Sequence, residues 1–569
     1  MSYQWHVLLA DNEDSVLRSI GRTLTNAGHF VLAARSVQQA KEILAEERVH
    51  AIVVDIRLED DSDEDDVSGL ELAAEVDGVV GKVITTGFDL SQRAIDRIWG
   101  SITSKINPGP LYVNKFDEPE KFVATVNRAL REQVRISPDL GIFYSPGAEP
   151  EHLIDQIPAL KDAPLSTRRR AAEELDDLLR KLFVGAQAVK VYAMTPGRGG
   201  SGVARVRPAY RTRKAKLEEG NFVAVKFGQR INFMREIENY DQHIERFFPR
   251  FATFLIGEAA CTQQLGGGKF VFMGMPDEMP GDFQNFYLDP DVGPDAIVEV
   301  IRNIFETSWS IWYDHKDSWI EGEDADLSQS FGDQLFDDVE PWAELDGTLG
   351  KLLNDEPVHG ISFGSPTASD QLEVVLNGKR QVLPNPVSFL KSKTSVLPRP
   401  RFVCVTHGDM TPRNIFVDRR RYAWLIDFYK TGLGPALRDV ADLESSIKFQ
   451  LVKTNKLGAL CEFESAILAP TSFAEPISFS NPLRLPELDR ALSAVRELRA
   501  QAYRIAEAED MAEYYASLLF FAAKMITWHG ISSLETKRRP IRQRHALYSA
   551  ALLCRKFSPD QGQTTELIV

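Results

Sequence analysis

Apolar and polar positions over the first 132 or so residues switch repeatedly between two periods. HVLLAD, starting at His6, is a short continuous apolar run suited to a buried strand, and Val16, Leu17, Ile20 and Leu24 then share one helical face. The same order repeats through FVLAAR, VQQAKEIL, AIVVD, GLELAAEV, KVITTG, RAIDRIW, LYVNK and FVATVNRAL. Five such units predict an α/β domain, a doubly wound five-stranded parallel sheet with its chemistry at the carboxyl ends of the strands. Those ends carry Asp11, Asp55, Thr86 and Lys115.

Beyond this domain, SPDLGIFYSPGAEP from Ser137 has turn chemistry, so residues 133–185 read as a linker and a coupling helix. Ser166 or Thr167 can cap RRRAAEELDDLLRKLF, in which Ala171, Leu175, Leu178 and Leu182 form one face. That helix either couples its two neighbours or packs on the second alone. Two further segments follow, residues 186–276 and 277–569. In FMREIENYDQHI, Phe233, Ile237, Tyr240 and Ile244 make an inward stripe that Glu236 shares and Glu238 does not. A helix is expected between Ala296 and Trp312, and three more from about Pro486, Asp510 and Ile541. The stretch around 315–400 is acidic and loop-rich, contains a hairpin signal at Asn377–Gly378, and reads as an insertion. Its Glu321, Glu323, Asp324 and Asp326 suit either a solvated loop or a cationic acceptor.

The densest chemistry lies in HGDMTPRN, His407 to Asn414, followed by LIDF, Leu425 to Phe428. NIFVD and YAWLIDF predict a hairpin that brings Asp409, Asn414 and Asp427 to one edge. Phosphoryl transfer needs such a set: a carboxylate beside the attacking hydroxyl and oxygen ligands for magnesium. An HxD pair with a later Asn also describes a capped turn, so its neighbours matter. Gly197, Gly199 and Gly202 fit GxGxxG, whose backbone N–H groups can approach phosphates, although the same glycines describe a flexible hairpin. NFVAVKFG is a strand ending near Lys226, and Glu236 follows ten positions later as its candidate partner.

In this order, the segment from about Ala186 to Phe557 resembles the protein-kinase-like superfamily. HGD in place of HRD, and IDF without a following glycine, look more like the aminoglycoside phosphotransferase and choline kinase branch. The resemblance implies a bilobal α+β domain using ATP and magnesium. Lys226 and Glu236 would then serve the phosphates, Asp409 would be the base, and Asn414 and Asp427 would hold metal. FVFMGM, with Met273 and Met275, would be the hinge against which adenine stacks. Asp439 and Asp442 in LRDVADLE would brace the catalytic loop, unless they only offset a helix dipole.

The amino-terminal domain resembles the receiver of two-component response regulators. By that resemblance Asp55 is the phosphoacceptor, Asp11 and Asp55 hold magnesium, and Thr86 and Lys115 are the switch residue and phosphate partner. Its phosphodonor would be a histidine kinase or a small molecule. The sequence departs from the pattern at Asn12, where a second acid is usual, and at Phe116, where proline usually follows the lysine. Just past Asp55, Glu59 to Asp66 holds seven acids in eight positions, a self-repelling solvated loop or a shield for Asp55.

Composition narrows the partners. A formal net charge of −16 argues against nonspecific nucleic-acid binding, with KRRPIRQR from Lys537 as a local exception. The four cysteines are scattered in apolar contexts without metal or disulfide spacing, which predicts reduced core residues. The amino terminus lacks a signal-peptide pattern and YYASLLFFAAKMITW is too short to span a bilayer, so a cytoplasmic protein is expected. Together these features predict a receiver-regulated phosphotransferase acting on an unidentified hydroxyl. The alternative is an inactive nucleotide-binding or scaffold protein using both domains for docking.

Overall fold

The computed structural model describes all residues except 1–2, 61, 64, 88–108, 195–200, 213–215, 246–252, 273–280, 319–330, 332–340, 356, 359–360, 365–369, 377, 529–532, 559–566 and 569. The chain divides into two compact units, Met1–Met234 with Phe254–Val271, and Arg235–Thr253 with Phe272–Val569.

In the first unit, β1 (His6–Ala10), β2 (Phe30–Ala34), β3 (Ala51–Asp55), β4 (Gly81–Thr86) and β5 (Leu111–Asn114) pair in parallel in the order β2-β1-β3-β4-β5. This is the doubly wound order with its switch point between β1 and β3. The helices α1 (Asp14–Asn26), α2 (Val37–Glu46), α3 (Ser68–Glu75) and α4 (Pro119–Ala129) accompany these strands. β3 is buried at every position, which explains its uninterrupted apolar run. Ile52 and Val54 join one core with Leu70 and Ala73, while Ala51 and Val53 join another with Leu17, Ile20, Leu24, Phe122 and Val126. The helix expected at RAIDRIW lies outside the described residues.

The rest of this unit is built on a mixed sheet. β6 (Gly141–Tyr144), β7 (Ala188–Ala193), β8 (Ser201–Arg211), β10 (Val223–Gln229), β13 (Leu265–Phe272) and β11 (Thr253–Leu255) run in the order β11-β13-β10-β8-β7-β6, with β9 (Leu217–Glu219) on β8 and β12 (Ala260–Cys261) on β13. The segment 133–185 thus supplies an edge strand as well as a helix. That helix, α5 (Leu165–Leu182), starts earlier than its Ser and Thr suggested. Pro164 is the N-cap, with extended geometry and no side-chain cap, so Ser166 and Thr167 fall inside the first turn. Its stripe of Ala171, Leu175, Leu178 and Leu182 is buried against Val189, Val191, Val225, Phe227 and Leu265.

The second unit is mainly helical, with long helices at Pro486–Ala506, Ala512–Thr527 and Ser533–Lys556. The last begins before Ile541 and runs through Pro540. KRRPIRQR is therefore not a basic surface throughout: Arg542 and Arg544 are buried, one on the Trp528 carbonyl and the other on Asp355. The helix expected over 296–312 is instead Pro294–Asn303, a wide turn at Ile304–Ser308, and Ser310–Asp314. Part of the region around 315–400 is ordered by a four-stranded sheet containing Ser362–Gly364, Gln371–Leu376 and Lys379–Pro384. Gly378, at φ +75°, makes the turn of the predicted hairpin. The four cysteines are free; three are buried, whereas Cys261 is only half-buried. Among the described residues no helix is long and apolar enough to cross a membrane.

Candidate active site

The predicted hairpin forms from Ile415–Val417 and Ala423–Leu425, antiparallel, with Ile415 opposite Leu425. Asn414 and Asp427 flank its open end. The Asn414 amide donates to the backbone oxygen of Asp409 at 2.9 Å and to its carboxylate Oδ2 at 3.0 Å. The Asn414 carbonyl accepts from Ile426 N at 3.0 Å, tying the loop to the residue before Asp427. Asp427 itself is left-handed, at φ +70° and ψ +71°. A non-glycine residue persists there only when its surroundings dictate it. The following Phe428 N–H is bound by Glu236 Oε1 at 3.3 Å, and Asn239 of the helix α6 (Arg230–His243) donates to the Phe428 and Tyr429 carbonyls at 3.1 and 2.8 Å. As its position in the stripe predicted, Glu236 is buried and Glu238 is exposed.

The loop before Asp409 is held by a buried acid. Asp439, near the start of helix α7 (Arg438–Ser446), accepts from His407 N at 2.7 Å, Gly408 N at 2.9 Å and the Tyr313 hydroxyl at 2.8 Å. Arg438 donates to the Gly408 carbonyl at 2.8 Å. Gly408 has no substitute here: its φ is +79°, and a Cβ would lie 2.2 Å from the Lys430 carbonyl. The His407 ring serves the backbone, its Nδ1 accepting from Asp409 N at 3.3 Å and its Nε2 donating to the Ile426 carbonyl at 2.9 Å. Those partners select the neutral Nε2–H tautomer. Asp442 is also buried; burial first, and then the Asp409 charge, push its carboxyl up to about 7. Asp439 thus braces the loop by direct hydrogen bonds. Arg438, Tyr313 and Asn239 were missed by motif reasoning, although Arg438 adjoins the acid that was singled out.

In the first unit Lys226 sits on β10, half-buried, in register with Val203 of β8 and Gly268 of β13. Gly202 has a packing role that its motif did not suggest: a Cβ there would lie 2.4 Å from the Phe227 ring. Gly197, Gly199, Met273, Met275 and the acids at Glu321, Glu323, Asp324 and Asp326 lie outside the described residues.

The receiver-like site is more compact. Lys115 reaches back from the end of β5 to Asp11 Oδ2 at 2.7 Å and Asp55 Oδ2 at 3.0 Å. Burial alone would lower the Lys115 pKa, but Asp11 and Asp55 outweigh it and raise the value. Lys115 N also binds the carbonyl of Thr86, the last residue of β4, at 2.9 Å. Asn12 turns its amide to the Arg57 carbonyl at 3.3 Å. Phe116 N–H donates to Asn114 Oδ1 at 2.9 Å, a bond proline could not make. In the acidic loop, Asp66 accepts from Glu59 N and Asp60 N, and Asp60 from Ser62 N and its hydroxyl. Some of its carboxylates therefore organise the turn.

Among the described residues no group of three or more His, Cys, Asp or Glu side chains is arranged for a metal. Asn414 and Asp427 nevertheless suit one whose remaining ligands are phosphate and water. With its nitrogen committed to Asp409, Asn414 has its amide oxygen to offer.

The family described as Ternary complex associated domain 9 matches residues 365–527, which include the whole Asp409 loop. No curated protein matches the chain. Among solved structures, a response regulator receiver domain protein (CheY-like) from Methanospirillum hungatei JF-1 is 20% identical, covering 23% of this chain and 96% of its own, with a TM-score of 0.20. A thermostable mutant of aminoglycoside phosphotransferase APH(4)-Ia is 9% identical, covering 66% of this chain and 95% of its own, with a TM-score of 0.33. Amicoumacin kinase hAmiN, solved with AMP-PNP, Ca2+ and Ami, is 10% identical over 65% of this chain and 91% of its own, with a TM-score of 0.30. The chain itself carries a five-stranded parallel α/β fold and a mixed sheet in its first unit, and a mainly helical second unit that holds the Asp409 loop.

Proposed function

We propose that this chain is an ATP- and magnesium-dependent phosphotransferase acting on a hydroxyl acceptor, under the control of a receiver phosphorylated on Asp55. The carrying observation is the Asn414 amide bonded to the Asp409 carboxylate, in a loop whose backbone is braced by Asp439. That arrangement leaves Asp409 oriented by a neutral donor, suited to accept the proton of an attacking hydroxyl. Asn414 and Asp427 would hold magnesium, which when bound neutralises charge on the transferring phosphates. Lys226 would add a second positive charge on the nucleotide side. In the receiver, Asp55 would take a phosphoryl group from a histidine kinase or a small phosphodonor, with Asp11 beside the metal and Thr86 and Lys115 on the new phosphoryl oxygens.

The test is a labelled-ATP transfer screen over small molecules, protein partners and the chain itself. Asp409→Ala is expected to lower transfer by about 10²–10⁴-fold while retaining the thermal shift with magnesium-ATP. Asp427→Ala is expected to weaken that shift. Equal turnover by wild type and Asp409→Ala overturns the assignment.

A further inference from the structure

The receiver-like domain has a second polar cluster, at the sheet edge remote from Asp55. Tyr3, Arg48 and His50 lie at the amino ends of β1 and β3, and all three meet Asp177 of α5, which is 2% exposed. Arg48 Nε donates to Asp177 Oδ2 at 2.7 Å, and His50 Nε2 lies 3.2 Å from the same oxygen. The Tyr3 hydroxyl and Arg48 Nη2 bind Oδ1. His50 Nδ1 accepts from His6 N at 2.8 Å, so Nε2 carries the proton that faces the acid. Burial alone would raise the Asp177 carboxyl, but His50 and Arg48 hold it well below the carboxylate range. A buried carboxylate without such partners would be strongly unfavourable.

Other groups secure the same edge. Two turns earlier on α5, Arg170 donates to the Ala45 carbonyl at 2.6 Å and to Glu174 at 2.9 Å. Glu174 in turn accepts from Gln264 N at 2.8 Å. Gln263 accepts from Val49 N at 2.9 Å and donates to the Leu44 carbonyl at 3.3 Å, and Arg230 pairs with Asp77. Clefts of about 390 and 570 Å³ flank these contacts and share Asp77, Gln263 and Gln264. The seam is thus polar and bonded at discrete points, a type of interface that can rearrange.

The other side of α5 reaches β10. Leu178 packs over Gly267 of β13 so closely that a Cβ on the glycine would lie 2.7 Å from its Cδ2. In the antiparallel register Gly267 faces Phe227, and Gly268 faces Lys226. We propose that the Tyr3, Arg48 and His50 edge is a docking surface for the Asp177 face of α5, and that α5 transmits the state of the receiver to the strand carrying Lys226. The functional weight given to Lys226 and the phosphorylated state of the receiver both rest on the proposed function; the docking does not.

Hydrogen exchange of the full chain without nucleotide tests the docking independently of that assignment. Arg48→Ala is expected to speed exchange about tenfold or more in both 165–182 and 223–229, with Asp177→Asn adding little to it. Arg35→Ala, which removes an exposed pair with Asp14, is expected to change neither segment. Should Arg48→Ala not fold, Arg170→Gln probes the same seam through Ala45. Faster exchange confined to residues 44–55, with α5 and β10 unchanged, overturns the proposal.

Discussion

The receiver-like site and the Asp409 loop each place carboxylates where phosphoryl chemistry is expected, but they hold them by different forces. In the receiver-like site, Asp11 and Asp55 are brought together by parallel strand ends and bridged by one lysine. In the loop, Asp409 is oriented by an amide and the backbone before it hangs from the buried Asp439, while Glu236 holds the Phe428 N–H after Asp427. The first arrangement is held by attraction between opposite charges. The second is a set of backbone hydrogen bonds, so a lost partner there leaves buried N–H groups unsatisfied.

The largest effect separating the two is expected from Asp439→Ala. It orphans two backbone N–H groups and the Tyr313 hydroxyl, at about 1–3 kcal/mol for each unsatisfied group. The denaturant midpoint of the second unit should fall sharply while the receiver transition stays in place. An unchanged midpoint would mean that the loop does not depend on this brace.

A smaller effect, visible only as a pH dependence, is expected from Asp442→Asn. The folded-state value of about 7 exceeds the unfolded value of about 4. The native state therefore keeps a proton that the unfolded chain has lost. Wild-type stability from this group is fully present below about pH 4 and is lost as pH rises toward 7. The variant should lack that loss, so its melting temperature relative to wild type should climb between pH 4 and 7 and level off above. A difference independent of pH would remove Asp442 from the electrostatics of the loop.

The smallest effect is expected in the receiver. Asn12→Asp adds a carboxylate beside Asp11 and gives up the bond to Arg57. Magnesium affinity should rise by about tenfold or less, the value of roughly 1.4 kcal/mol, in a calorimetric titration. No gain would show that Asn12 serves the Arg57 loop alone.

Much of this was legible because it is local. The receiver strands are short apolar runs, their carboxyl ends carry the acids and the lysine, and the hairpin after Asn414 follows from alternating strands around a basic turn. Glu236 was placed inward correctly by its helical stripe. Less legible were features set by distant neighbours. Pro164 moved the start of α5, burial of Arg542 and Arg544 removed part of an apparent basic patch, and Gly202 proved to make room for Phe227. Nothing local distinguishes an arginine that faces water from one that bonds the Gly408 carbonyl.

The sequence by itself determined the order of elements, the parallel receiver sheet and the residue types at both candidate sites, because periodicity and turn chemistry act over a few positions. Only the tertiary structure decided that Asp439 is a brace, that Glu236 holds the Phe428 N–H, and that Asp177 is the anchor of the receiver edge. Those assignments depend on buried hydrogen bonds between segments far apart in the chain, and such partners are chosen by packing rather than by spacing.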